Sequence, residues 1–312
     1  LCALPFEKGS AEMKRGQSAI ANDLRKNRWY YGLIAPTIII LLLINIYPLL
    51  YSVYVSLTNY KLTGVKTLKF VGLKNYIDLF GNADFLTSMR NTLLFVVCAV
   101  SSELVVGLAL ALLLYRLGPL GNTMLSFFLL PMMLTPVIVG IMWRFMYNYD
   151  FGMINFFLSK LGIERIAFLS DSGKAIFYLC FVDLWQWSPY VTLLTYGSLQ
   201  SLPRDQVESA NIDGAGVFRV FYHITLPFLS STLWICILVR IMDAIREYDK
   251  VYTMTMGGPG NATETASFYI YRQAFKFFKT GSAAAASIIL LIITIIVSNI
   301  FIKRMRKNEY KN

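Results

Sequence analysis

Six stretches of this chain are almost wholly apolar, and each is near the ~20 residues a bilayer requires. In hydrocarbon no water satisfies backbone N–H and C=O groups, so such stretches must be helices that close their own hydrogen bonds. The expected spans run roughly Leu33–Val55, Thr92–Tyr115, Thr123–Met146, Ala175–Leu199, Leu226–Ile245 and Ser282–Ile302. The first holds Pro36, Asn45 and Pro48, the second Glu103, and the third Pro131 and Pro136. Proline inside a span fits a bundle whose neighbours satisfy the freed backbone groups. Only 15% of residues are charged and the mean hydropathy is +0.54, whereas a soluble domain is about a quarter charged. The fold class expected is therefore an all-α membrane protein with six transmembrane helices.

A net charge of +11 would suggest nucleic acid in a soluble chain. Here the basic residues gather at the ends: Lys14, Arg15, Arg25, Lys26 and Arg28 at one, Lys303, Arg304, Arg306 and Lys307 at the other. That fits cytoplasmic termini beside anionic lipid rather than a nucleic-acid partner. An even number of spans puts both ends on one side, the cytoplasm. Outside loops then cover about 56–91, 147–174 and 246–281; they carry lysines too, so the termini decide the orientation. Residues 1–30 read as a cytoplasmic segment, 31–305 as the membrane domain and 306–312 as a cytoplasmic tail. Met13-Lys14-Arg15 would make a natural start, and the first apolar run is too long and too late for a cleavable signal peptide. Cys98, Cys180 and Cys236 fall in apolar runs with no disulfide or metal spacing.

One polar gap carries more information than its length suggests. Residues 200–227 separate two apolar runs and include Glu208-Ser209-Ala210, then Gly214, then Ile224-Thr225-Leu226-Pro227. The pattern predicts two short helices with a break. Ser201 is positioned to cap the first, with Pro203 in its first turn. Asp213-Gly214 would end it, since Gly takes the left-handed conformation a helix stop needs. Val217–Ile224 would form the second, and Pro227 would open the next span. Such a knob at a membrane surface suits a groove on another protein. Read without that context, the same stretch is an ordinary amphipathic surface loop.

The spacing Glu-x-Ala-x(3)-Gly-x(9)-Ile-x-Leu-Pro resembles the cytoplasmic coupling loop of permease subunits in bacterial ABC importers. Ser209 stands where Ala is usual. The outside loops add to the likeness. Phe70-Val71-Gly72-Leu73-Lys74-Asn75-Tyr76 with Asn91-Thr92-Leu93, Trp185-x-Trp187-x-Pro189-Tyr190, and Thr255-Met256-Gly257-Gly258-Pro259 look like the carbohydrate and glycerol-phosphate branch. The maltose-type pore subunit fits best, without its large extra outside domain. The resemblance implies a type I importer permease fold in the bacterial inner membrane. It implies two partner ATPase subunits, a second permease subunit forming a heterodimer, an extracytoplasmic solute-binding protein and a saccharide substrate. Glu208, Ser209, Ala210, Asp213, Gly214, Ile224, Leu226 and Pro227 would meet the ATPase.

No Gly-x(4)-Gly-Lys-Ser/Thr segment occurs, so ATP and Mg belong on the partner subunits and no cofactor is expected in this chain. No nucleophile has a paired base, no metal cluster is expected, and the single histidine, His223, lies in the coupling loop. The chain reads as a pore subunit, not an enzyme.

Ionisable residues inside spans are costly and are functional candidates by default. Arg240, Asp243 and Glu247 are spaced to share a helix face, as are Asp183, Trp187 and Tyr190. The resemblance carries a mid-membrane sugar site onto Asp183, Gln186, Trp187, Tyr190, Arg240, Asp243, Ala244 and Glu247. Aromatic faces stack on sugar rings while carboxylate and guanidinium groups bond hydroxyls. The competing reading is that Asp183, Arg240 and Asp243 pair with one another and hold the bundle together. Arg144, Arg240 and Arg246 together suggest a narrower substrate, an acidic saccharide such as an alginate-type uronate or a sugar phosphate. An ion-gradient-driven transporter of a sugar or organic anion, with the in-span acids as proton carriers, is the alternative from another class. Asn261-Ala262-Thr263 matches a glycosylation sequon, a short pattern with little weight.

Overall fold

The computed structural model describes residues 28–63 and 69–309, all helical apart from turns, loops and a single antiparallel bridge between Thr58 and Phe70. The basic residues from Lys14 to Lys26 lie outside the described residues. The chain divides into two compact units, Leu1–Tyr54 and Val55–Asn312.

The described part of the first unit is helix α1, Arg28–Ser56, which crosses into the second unit at its last two residues. Pro36 and Pro48 both lie inside it. The Asn45 amide donates to the Leu41 carbonyl at 2.8 Å and the Ser52 hydroxyl to the Pro48 carbonyl at 2.8 Å. Both bonds turn a polar side chain back onto its own helix, which satisfies it without water.

The second unit contains α2 (Lys74–Phe80), α3 (Ala83–Arg116), α4 (Pro119–Phe128), α5 (Leu130–Met133), α6 (Pro136–Met146) and α7 (Met153–Lys160). It continues through α8 (Ala175–Gln200), α9 (Arg204–Ile212), α10 (Val217–Val220), α11 (Leu226–Ile245), α12 (Ala266–Tyr271) and α13 (Thr280–Glu309). Its spine is α3 against α8, with α11 laid on both. Gly107 permits that closeness: a Cβ there would stand 2.6 Å from the Val191 Cβ. The Thr192 hydroxyl fills the gap, 3.2 Å from the Gly107 carbonyl. Phe95, Ala99, Val139, Trp143, Leu179 and Val182 form the core toward one end, while Ala111, Leu114, Tyr196, Leu199 and Leu229 form it toward the other.

Among the described residues four helices are long and apolar enough to cross a membrane: Leu33–Ser56, Ala83–Arg116, Val217–Ile245 and Thr280–Met305. They hold the first, second, fifth and sixth expected spans. The third expected span, Thr123–Met146 with Pro131 and Pro136 inside it, is broken rather than one continuous helix. Pro119–Met133 and Pro136–Met146 meet at 91°. Pro136 disfavours a helical Thr135, and Leu134 and Thr135 are both extended, with ψ of 141°. The fourth, α8, has 26 residues but falls short in apolarity, because Asp183, Gln186, Ser188, Thr192 and Thr195 lie along it. All five are buried, so the helix spends its polarity inside the protein.

Candidate functional site

The loop between α8 and α11 departs in two details from the expected pattern. Ser201 does not cap α9; it closes α8, its N–H donating to the Ser198 carbonyl at 3.0 Å, and Pro203 takes the N-cap position instead. Proline donates nothing there, and helix N-termini leave that N–H free anyway. The second helix does not stop at Ile224. It starts at Val217, runs through a π turn at Phe221–Thr225 and continues as α11, with Pro227 in its first turn.

The stop between the helices is as expected. Gly214 has φ +78°, its N–H bonds the Asn211 carbonyl at 3.1 Å, and the Ala215 N–H bonds the Ala210 carbonyl at 2.9 Å. This pair of bonds is a Schellman motif. Nothing lies within 4 Å of where a Gly214 Cβ would stand. Within this chain, then, only the backbone conformation requires glycine there. Glu208, Ser209, Asp213 and Gly214 are exposed, Ala210, Ile224 and Leu226 are half-buried, and Pro227 is exposed. Asp205, Glu208 and Asp213 have no ion pair or side-chain hydrogen bond among the described side chains. Large apolar groups are exposed alongside, with Ile212 at 86% and Phe218 at 81%. The His223 ring bonds the Arg219 carbonyl at 3.0 Å, a contact local to its own helix. Behind the loop lies a cleft of about 1220 Å³, bordered by Arg116 and Asn122 on one side and Glu208 and Phe218 on the other.

A second polar assembly is buried between the helices. Arg240 on α11 grips Glu103 on α3 with two hydrogen bonds, Nε to Oε2 at 2.7 Å and Nη2 to Oε1 at 3.0 Å. Its Nη2 also donates to Asp183 on α8 at 2.9 Å. Lys250, beyond the end of α11, places Nζ 2.8 Å from Asp183 Oδ1 and 2.8 Å from Glu247 Oε2. Glu103, Asp183 and Lys250 are fully buried and Arg240 nearly so. The guanidinium also sits 4.6 Å from the centre of the Trp187 ring, a cation–π contact strengthened where water is excluded. Three helices and the loop beyond α11 are thus tied by one set of charges.

The expected sugar-site residues separate accordingly. Asp183 and Arg240 are mutually paired, the competing reading of the sequence. Gln186 is buried, its amide donating to the Leu134 carbonyl at the α5–α6 break at 3.0 Å. Ala244 is in the apolar core. Trp187, Tyr190, Asp243 and Glu247 are half-buried, and Arg144 is exposed with its guanidinium 3.3 Å from the Thr253 carbonyl. Asp243 pairs with Arg246 at 3.1 Å and lies 3.9 Å from Arg240. Trp185 stands edge-on to Trp143 at 5.6 Å and belongs to the core. Sequence reasoning passed over Lys250 as an outside-loop lysine. Its position three residues after Glu247 was the available signal.

A third cluster joins α3 to the loop before α13. The Asn91 amide donates to the carbonyls of Asn261 at 2.9 Å and Glu264 at 3.2 Å, and the Ala266 N–H donates to the Thr92 hydroxyl at 2.8 Å. Arg272 lies 3.2 Å from Asp84 and 3.0 Å from Glu264. Burial pushes the Glu264 carboxyl up to about 7, against the pull of Arg272 and with added repulsion from Asp84. The Asn261 amide of the sequon is engaged by Asp84 and Arg272.

The chain is a helical membrane bundle whose exposed loop carries three acids with no partner among the described side chains. The chain belongs to the family of binding-protein-dependent transport system inner membrane components, whose profile matches residues 103–307. It is 39% identical over 272 residues to a probable ABC transporter permease protein, y4oQ, of Sinorhizobium fredii, covering 86% of this chain and 87% of that protein. It is 34% identical over 257 residues to the trehalose/maltose transport system permease protein MalF of Thermococcus litoralis, covering 82% and 85%. Its fold is similar to a chain of a bacterial ABC transporter involved in the import of the acidic polysaccharide alginate, with a TM-score of 0.80, 20% identity, and coverage of 93% and 99%. The chain is thus a multi-pass inner-membrane permease subunit of an ABC transporter.

Proposed function

We propose that this subunit forms half of the pathway of an ATP-driven carbohydrate importer. The observation that carries it is the coupling loop, whose exposed acids meet no partner among the described side chains and whose Ile212 and Phe218 are bare. In this reading both termini and the loop face the cytoplasm. Two ATPase subunits hold ATP and Mg, a second, different permease subunit completes the pathway, and a solute-binding protein delivers substrate outside. Closing of the ATPase pair moves the coupling helices as levers, the permease pair turns from inward-facing to outward-facing, and hydrolysis resets it. Glu208, Ser209, Ala210, Asp213 and Gly214 meet the ATPase groove, with Ile224, Leu226 and Pro227 anchoring the knob to α11.

The carbohydrate assignment is supported by the named substrate of the trehalose/maltose relative and by Trp187 and Tyr190, which keep aromatic surface for a sugar ring. Asp243, Glu247 and Arg144 add polar groups at the same end of the bundle, and Asp183, Gln186, Arg240 and Ala244 shape the wall behind. An acidic saccharide would draw on Arg144 and Arg246, since Arg240 is already engaged by Glu103 and Asp183. If a neutral oligosaccharide stimulates the assembled transporter and its uronate counterpart does not, the acidic assignment is wrong. Mild-detergent purification with mass spectrometry of retained chains tests the larger reading. An ATPase and a second six-span permease are expected; recovery of this chain alone would refute it.

A further inference from the structure

Three span ends converge outside the bundle's core: Ser56 ends one, Ala83 begins another and Thr280 begins the last. Between them lies a polar cavity of about 460 Å³, a volume within the usual range for small-ligand pockets. Lys61, Lys74 and Lys279 line it, with Asp78 as the acid among its lining residues. None of the three lysines has an ion-pair partner among the described residues.

The lysines are held near one another by backbone, not by chance of side-chain rotamer. The Gly281 N–H bonds the Tyr60 carbonyl at 2.8 Å and the Leu62 N–H bonds the Phe278 carbonyl at 3.0 Å, so Lys61 is clamped opposite Lys279. Phe278 has φ +55°, a conformation a bulky residue rarely adopts. The Lys279 N–H is fixed in turn by the Gln273 carbonyl at 2.8 Å. On the other side the Asn75 amide bonds the Ser56 and Thr58 carbonyls at 2.7 and 2.8 Å, which seats Lys74 at the rim. Three lysines against one acid leave the cavity with an excess of positive charge, which an anion would relieve.

The level of the cavity identifies the anion. Gly281 and Ser282 line the cavity where the last apolar span begins at Thr280, which on this reading is the level of phospholipid phosphates. Phe70, Ile77, Phe80 and Phe277, each within two residues of a lining residue, are exposed, the apolar and aromatic surface expected at a headgroup boundary. We propose that this cavity binds the phosphate headgroup of an anionic phospholipid, with Lys61, Lys74 and Lys279 as point-charge contacts. The inference stands on the span ends and the cavity, so it is independent of which solute the transporter carries.

The test uses the intact, delipidated transporter in detergent. Phosphatidylglycerol, phosphatidylcholine, inorganic phosphate and glycerol phosphate are added in separate arms, with melting temperature and native mass spectrometry as readouts. Phosphatidylglycerol should stay bound and raise the melting temperature, and phosphatidylcholine should do neither. The triple variant Lys61→Gln, Lys74→Gln, Lys279→Gln should lose both effects, and the corresponding triple arginine variant should restore them. All three side chains are exposed, so the glutamine variant should fold; an unliganded melting temperature equal to wild type checks this. Equal retention of the two lipids, or an undiminished lipid effect in the glutamine variant, would overturn the proposal. Lysine-dependent stabilisation by phosphate or glycerol phosphate equal to that by lipid would also overturn it, in favour of a soluble anion.

Discussion

The buried network and the coupling loop use the same chemistry to opposite ends. Glu103, Asp183 and Glu247 are each met by Arg240 or Lys250 within 3.0 Å. Asp205, Glu208 and Asp213 meet no partner among the described side chains. A carboxylate satisfied internally serves the fold. An exposed one beside bare Ile212 and Phe218 is available to another chain, where aromatic and charged anchors carry most of the binding energy. Under the proposed function, the difference separates what holds this subunit together from what would connect it to others. It also bears on the ion-gradient alternative, because the in-span acids are engaged by guanidinium and ammonium groups rather than free to carry protons.

The comparison breaks first at Arg240. Arg240→Met should leave Glu103 buried and uncompensated and Asp183 with Lys250 alone, a loss of about 3–5 kcal/mol, read as little folded protein by fluorescence-detected size exclusion. Adding Glu103→Leu should recover part of that loss; a wild-type melting temperature for Arg240→Met alone would show the network to be dispensable. Next come the coupling-loop variants. Glu208→Lys should fold as wild type and Gly214→Asp with a modest loss of stability from the left-handed backbone at φ +78°, yet both should lower uptake by about tenfold or more, the scale of losing one interface anchor. Normal uptake in both would remove the loop from the mechanism.

The smallest effect expected is at Glu264. Its carboxyl is raised by burial to about 7 from the ordinary 4.5. The folded state therefore holds a proton that the unfolded state has released across that window. Stability should fall as pH rises from 4.5 to about 7 and then level off. Glu264→Gln should flatten that decline in a melting-temperature series against pH. A variant curve parallel to wild type would remove Glu264 as its source.

Most of the helix inventory was readable because apolar runs and punctuating residues are local signals. The stop at Gly214 followed from one residue type, and the Schellman bonds at Gly214 and Ala215 meet it. The bend before Pro136 was less accessible: prolines announce a disturbance, but whether a span tilts, kinks or breaks depends on neighbours such as Gln186, which bonds Leu134 from another helix. Likewise the spacing of Arg240, Asp243 and Glu247 placed them on one face without saying what they face. Glu103 lies 137 positions from Arg240, and no local pattern links them. Lys250 was hidden for another reason. It precedes a π turn at Val251–Thr255 that follows the end of α11, and its Nζ lies against Asp183 and Glu247.

The most direct test is uptake by proteoliposomes holding the purified complex with its binding protein, with ion gradients collapsed by ionophores and ATP supplied to the ATPase side. The account predicts sugar accumulation that requires ATP and is lost with Gly214→Asp, although that variant assembles. Accumulation driven by a proton or sodium gradient without ATP, unchanged by Gly214→Asp, would contradict it.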